Sequence, residues 1–260
     1  MNNKLLIIDP QNDFCLPSAS LYVPGAEQDA KRIGAFISKH SSEIDSIHIT
    51  LDSHPNFHIA HPIFWVNKKG NNPPPYTVIT YETFASGVWM PALSELKQRT
   101  EDYIMELETK GHYSLIIWPP HCLTASHGAC VVDSIAHAAE NWELEKPGRI
   151  VNYVTKTSNP FTEHYSAVQA EVPDRNDPTT RTNFEFIDSL KDADTIYICG
   201  EALSHCLSNT VRDLIAYIPA EKMTILTDCT SNVEGYDKMG EDILKDFKLQ
   251  GIKTAISTEI

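Results

Sequence analysis

The sequence predicts an α/β protein: a doubly wound, mostly parallel sheet with helices on both faces, in three α/β/α layers. Two observations carry this expectation. Short apolar runs alternate with segments of helical periodicity along the whole chain, which is the pattern of a parallel sheet covered by its crossovers. Several of those runs also stop on a chemically active side chain, and open sheets of this kind gather their ligands at the carboxyl ends of the strands.

In chain order, residues 5–8 form an apolar run closing on Asp9. Ala26, Ala30, Ile33, Phe36 and Ile37 then recur at helical spacing, predicting a helix over 25–38. Residues 44–51 read as a second strand, and it ends on Asp52. The stretch 67–75, rich in Lys, Gly, Asn and Pro, must be a loop. A short strand at 78–81 and a polar, charged surface helix over 89–110 follow. Residues 115–118 are a third apolar run, stopped by Pro119 and Pro120. A helix over 129–141 and a strand over 150–155 lead to Lys156. A polar loop at 174–183 precedes a short helix over 183–190. A β-rich run then ends at Gly200, and Leu207, Val211, Leu214 and Ile215 predict a helix beginning at Cys206. A strand at 223–226 and a last helix from about 233 to 249 complete the set. No internal repeat interrupts it, and residues 1–260 are expected to form one domain.

Composition narrows the function. At 260 residues the chain is long enough to bury a sizeable core, and 42% hydrophobic with 22% charged residues is ordinary for a globular protein. A net charge of −14 disfavours nucleic acid and anionic membrane as partners. Six scattered cysteines with no CxxC suggest free thiols in a reducing compartment. The first apolar patch is too short for a signal peptide, and no run of about 18 apolar residues is present. The expected location is cytoplasmic.

The chemistry centres on Cys206. A thiol at a helix N-terminus meets free N–H groups and a partial positive charge, so a lowered pKa is expected there, and those N–H groups can also hold an oxyanion. Asp9 and Lys156, each at a strand end, would join it as a Cys/Asp/Lys triad: the ammonium stabilises the thiolate and the carboxylate relays protons. Taken singly these residues mean little. A buried Cys is usually structural, an Asp after a strand is usually a cap or turn residue, and most lysines are solvated.

A second constellation is Asp52-Ser53-His54, with His121 on the turn stiffened by Pro119 and Pro120. Asp52 and His54, two residues apart in an extended chain, point to one side as a chelating pair should. His121 would complete three protein ligands with open positions left. His58 and His61 are extra candidates, and His58 could ligate directly or support the ligands from outside. A carboxylate with two imidazoles suits one divalent ion, zinc first, with iron and manganese as alternatives.

These pieces resemble the cysteine hydrolase (isochorismatase-like) superfamily, and within it the nicotinamidase/pyrazinamidase branch. The matching stretches are residues 8–14 (Ile-Asp-Pro-Gln-Asn-Asp-Phe), 50–55, 118–122 (Trp-Pro-Pro-His-Cys), 156–160 with 165–167, and 200–206 (Gly-Glu-Ala-Leu-Ser-His-Cys). They come in the family's order. The resemblance implies Asp9 as general base and acid, Lys156 as thiolate stabiliser and Cys206 as nucleophile. It implies a cis peptide between Glu201 and Ala202, with the Ala202 and Cys206 N–H groups as oxyanion hole. Phe14, Trp118 and Tyr165 would wall the substrate ring, and the metal would bind through Asp52, His54 and His121. The implied activity is hydrolysis of nicotinamide or a close heteroaromatic amide to the acid and ammonia. Alternatives are another amidase of the superfamily, acting on a carbamoyl or ureido amide, and a non-catalytic binding protein of the same fold. Residues 66–112 look like an insertion, as do 171–183, and either could cover the pocket, reshape it or build a contact between copies in a homo-oligomer.

Overall fold

The computed structural model describes residues 2–110 and 113–260. Six strands make one parallel sheet: β1 (Asn3–Ile8), β2 (Ile44–Asp52), β3 (Asn152–Lys156), β4 (Thr195–Gly200), β5 (Met223–Leu226) and β6 (Lys253–Ala255), in the order β6-β5-β4-β1-β2-β3. Six helices of eight residues or more accompany them among the described residues: α1 (Ala26–Lys39), α2 (Lys97–Lys110), α3 (Asp133–Leu144), α4 (Phe184–Lys191), α5 (Ser208–Ile215) and α6 (Asp237–Leu249). The sheet grows from β1 to β3 in one direction and from β4 to β6 in the other. Right-handed crossovers therefore place the two sets of helices on opposite faces, and the order reverses between β1 and β4.

The strands form because their residues are buried on both sides. Leu5, Leu6, Ile7 and Ile8 are wholly inaccessible, as are Ile196 and Ile198 beside them in β4. Helix α1 turns Ala26, Ala30, Ile33, Phe36 and Ile37 inward. It also approaches α3 closely: a Cβ on Gly34 would lie 2.6 Å from the Ser134 carbonyl oxygen, so only glycine fits there.

Several sequence expectations need correction. The run 115–118 does not enter the main sheet. Leu115–Ile116 pairs antiparallel with Val78–Ile79, a small ribbon of its own; an apolar run signals burial but not which sheet receives it. The helix expected over 89–110 begins only at Lys97, because Met90–Pro91 is extended and pairs with Trp65–Val66. Its face is not wholly polar either, since Tyr103, Ile104 and Leu107 are buried. The last helix starts at Asp237 rather than near 233, and α3 is shifted to Asp133–Leu144. The short strand β6 and a four-residue helix, Asn12–Cys15, had no clear periodic signal.

Of the segment 66–112, Gly111 and His112 lie outside the described residues. The rest buttresses the loop that follows β3. Arg99 of α2 lies over the Phe161 ring at 3.7 Å and pairs with Asp174, while the Tyr103 hydroxyl accepts from the Glu163 N–H at 3.2 Å. Among the described residues no helix is long and apolar enough to cross a membrane, and all six cysteines are free thiols.

Candidate active site and metal centre

The carboxyl ends of β1 to β4 bring the predicted residues together. Asp9 follows β1, Asp52 ends β2, Lys156 ends β3, and the turn after β4 carries Ala202 and Cys206. Gly200 makes that turn possible. Its φ is +99°, and a Cβ there would come within 2.1 Å of the Ile8 carbonyl oxygen. The Glu201–Ala202 peptide is cis. Cys206 sits not at the start of α5 but inside a π-helical turn, Leu203–Leu207, that precedes it.

Lys156 is the hub. Its ammonium lies 2.9 Å from Asp9 Oδ2, 2.5 Å from Asp52 Oδ1 and 3.6 Å from Cys206 Sγ, and it donates to the His164 carbonyl at 3.0 Å. The Asp9 contact is close but lacks hydrogen-bond geometry, so Oδ2 remains a free acceptor. The other Asp9 oxygen takes the Thr50 hydroxyl at 2.5 Å. Burial favours a neutral Lys156, but the Asp52 and Asp9 carboxylates overcome it and hold the ammonium well above its ordinary pKa.

The thiol behaves differently from the expectation. Burial pushes the Cys206 pKa well up, against the pull of Lys156 and with the help of the Asp9 and Asp52 charges. A helix end contributes at most about 2 kcal/mol, whereas full burial shifts a group by several pKa units. Three acids also share one cation here. The thiol therefore rests protonated beside Asp9, whose own pKa is raised by burial and by Asp52 despite Lys156.

Positive φ angles recur around the site. Asp9, Cys122 and Thr157 have φ of 42°, 44° and 69°, rare for residues with a Cβ. At Thr157 the conformation turns the hydroxyl to Asp52 Oδ1, which it reaches at 2.5 Å alongside Lys156. Gln11 holds the Asp52 backbone from the other side, accepting its N–H at 2.7 Å and donating to its carbonyl at 2.8 Å. Asp52 Oδ2 is thereby left to face His121 Nε2, 3.7 Å away.

The histidines sort by their hydrogen bonds. His121 Nδ1 donates to the Pro119 carbonyl at 2.8 Å, which leaves the Nε2 lone pair toward Asp52. His54 has no hydrogen-bond partner at either ring nitrogen, and burial keeps it neutral. Asp52, His54 and His121 offer three ligand atoms within 4.8 Å of one another, as do His54, His58 and His61. In the second group His58 is already engaged, accepting from the Ala60 N–H and donating to the Thr162 carbonyl, both at 3.2 Å. His61 donates through Nδ1 to the Asn56 carbonyl and keeps a free, buried Nε2. A carboxylate oxygen and unprotonated, partnerless imidazole nitrogens in a buried cluster fit a divalent ion. A third cluster, Asp9, Asp52 and Cys206, surrounds the Lys156 ammonium, which already supplies its positive charge.

A narrow pocket of about 420 Å³ opens beside Cys206 and His121. Phe14, Trp118 and Tyr165 line it, with Val23 and Val233, and the Trp118 indole donates to the Tyr165 hydroxyl at 3.0 Å. Two further residues of the pocket were not singled out in the sequence. Glu163 places Oε1 3.9 Å from His54 Nε2 and leaves Oε2 without a partner. His205 is neutral, its pKa brought to about 4 by burial, and Tyr113 stacks on it with ring centroids 5.3 Å apart. One carboxylate among 35 acids in a polar loop carries no signal of its own.

No family model matches the chain. The nicotinamidase of Saccharomyces cerevisiae is 26% identical over 253 residues, covering 95% of this chain and 96% of that protein. Its solved structure superposes with a TM-score of 0.68 at 21% identity, over 97% of this chain and 99% of the other. By fold, the chain is similar to the solved nicotinamidase and pyrazinamidase structures. Other solved structures agree in fold. A nicotinamidase/pyrazinamidase of Acinetobacter has a TM-score of 0.65 at 22% identity, covering 99% and 97% of the two chains. A pyrazinamidase of Pyrococcus horikoshii, solved in complex with zinc, has 0.59 at 20%, covering 98% and 99%. Asp9, Asp52, Lys156 and Cys206, which carry the resemblance in sequence, all lie at or just after the carboxyl ends of neighbouring strands.

Proposed function

We propose that this chain is a metal-dependent amidohydrolase that converts nicotinamide, or a close heteroaromatic amide, to the acid and ammonia. One observation carries the reading: the Lys156 ammonium touches Cys206, Asp9 and Asp52 at once, joining the nucleophile to the metal-ligating cluster at one end of an aromatic-walled pocket. The yeast relative is named for the same activity.

Asp52, His54 and His121 would hold the divalent ion, with His61 offering a further nitrogen. When bound, the ion supplies a Lewis acid that orients the pyridine nitrogen and adds positive charge to the site; zinc is favoured by the donor set and by the zinc complex of the Pyrococcus relative. Phe14, Trp118 and Tyr165 would hold the ring. The protonated thiol passes its proton to Asp9 as sulfur attacks the amide carbon, and the Ala202 and Cys206 N–H groups receive the oxyanion. Asp9 then gives the proton to the nitrogen, the C–N bond breaks and ammonia leaves. Water attacks the Cys206 thioester, Asp9 takes its proton, the C–S bond breaks and the thiol is restored by Asp9. The raised pKa of Asp9 suits a group that must hold a proton between steps.

The test is ammonia release from nicotinamide, followed before and after chelator treatment and on restoring zinc, iron or manganese. Release that falls at least about tenfold on chelation and returns with metal is expected. No release from fully metallated protein would overturn the nicotinamide assignment and send the search to carbamoyl and ureido amides.

A further inference from the structure

Glu201 is an acid in a place without water. It is 2% exposed, between the end of β1 and the 229–231 loop. Its N–H donates to the Ile8 carbonyl at 2.7 Å, and its Oε2 accepts from the Ser231 N–H at 3.2 Å. Oε1 has no donor to accept from. The acid whose charge bears on Glu201 is Asp29 on α1, and a proton held by Glu201 would keep the two carboxyls from repelling each other. Asp29 is otherwise committed: the Arg32 guanidinium reaches Oδ1 and the Ser231 hydroxyl reaches Oδ2, both at 2.5 Å.

This network grips the turn that follows β4. Leu203 N–H donates to the Ser231 carbonyl at 2.8 Å, Gly200 N–H to the Cys229 carbonyl at 2.9 Å, and the Thr230 hydroxyl to the Gly200 carbonyl at 2.6 Å. Ala202 lies inside the gripped segment, next to Glu201. We propose that Glu201 is a positioning residue that fixes the Ala202 N–H through the hydrogen bond it accepts from Ser231 and a proton it keeps toward Asp29. The proposal rests on the amidase reading for its link to rate, but its proton can be tested without any substrate.

Burial first, and the Asp29 charge second, raise the Glu201 pKa well above the ordinary 4.5, against the Ser231 N–H and Arg32. The other titratable groups around it are the buried thiols of Cys15 on the short helix and Cys199 on β4, both pushed up by burial and by Glu201 itself. Arg32 is the cation on this side. Loss of the proton would set two carboxylates against each other in a buried site, and the turn would shift.

Two variants test this. Glu201→Gln keeps a donor toward Asp29 at every pH, whereas Glu201→Ala removes it. The native acid keeps a proton that the unfolded chain loses above about pH 4.5, so wild-type stability falls as pH rises from there toward the folded pKa. Glutamine carries no such dependence. The melting temperature of Glu201→Gln minus that of wild type is therefore expected to rise as pH increases above about 5; a flat difference would overturn the retained proton, whatever the enzyme's substrate. With nicotinamide, Glu201→Ala is expected to lower kcat roughly tenfold or more with KM unchanged. Glu201→Gln should restore most of that rate and extend activity to higher pH. An alanine variant with wild-type kcat, or a glutamine variant with the wild-type pH profile, would overturn the positioning role. Absence of turnover by wild type would overturn the amidase reading instead, leaving the melting comparison to decide the network.

Discussion

Cys206→Ala is expected to lower kcat for amide hydrolysis by at least about 10⁴-fold, the scale seen when a covalent nucleophile is removed. The metal content should be unchanged, because the free lone pairs of His54, His61 and His121 and the Oδ2 of Asp52 form a set that does not use the sulfur. Folding should also survive, since a thiol-to-methyl change in a buried position removes one weak donor. Two measurements decide it: ammonia release over hours at high enzyme concentration, and zinc per chain by elemental analysis. Retained turnover would exclude Cys206 as nucleophile. Loss of both turnover and zinc would show that sulfur belongs to the metal set. Because the thiol rests protonated, cysteine-directed alkylation of the free enzyme should be slow as well, unlike that of a typical low-pKa active-site thiol.

Lys156→Met has the second large effect, and it reaches stability as well as rate. Among the described residues the lysine supplies the one ammonium touching Asp9 and Asp52, both nearly inaccessible. Its removal leaves two buried carboxylates uncompensated, a change that typically costs about 3–5 kcal/mol. The sign with pH follows from Asp52, whose pKa Lys156 holds well below 3.8 despite burial. A depressed acid contributes stability above its unfolded value, and that contribution is lost as pH falls through its folded value. The gap between wild type and Lys156→Met should thus be full above about pH 4 and narrow only as pH falls from there toward the folded value of Asp52, measured by denaturant unfolding of chelator-treated protein. A constant difference across that range would mean that Lys156 acts through packing alone. The kcat of the refolded variant should fall by at least about 10²-fold, since the cation beside the developing thiolate is gone.

How much of this was legible before the structure depended on the kind of signal. Asp9, Asp52 and Lys156 could be placed because each ends a run whose burial pattern marks a strand, and a parallel sheet leaves one edge on which such ends meet. The chelating histidines could be grouped by spacing and by the proline turn at 119–120. What could not be read is which partner each polar atom finds. His58 and His61 look alike in sequence, yet the Ala60 N–H and the Thr162 carbonyl use up both nitrogens of one and leave the other a lone pair. Glu163 and Glu201 look like ordinary surface acids until the chain closes around them. The thiol's pKa was misjudged for a related reason: a helix terminus is visible in sequence, whereas the extent of desolvation is not. The apolar stretch at 115–118 shows the same limit at the level of the sheet, since nothing local distinguishes a central strand from a two-residue ribbon.

The position of β3 has a consequence for how this site ages and fails. Lys156 rides on the outermost strand, which pairs with β2 alone and has exposed residues at Asn152, Tyr153 and Thr155. A strand with one neighbour opens more readily than those inside the sheet. The charge balance of the entire centre is therefore entrusted to the margin of the fold. Amide exchange should find residues 153–156 less protected than their counterparts in β1, and inactivation on mild heating should run ahead of global unfolding.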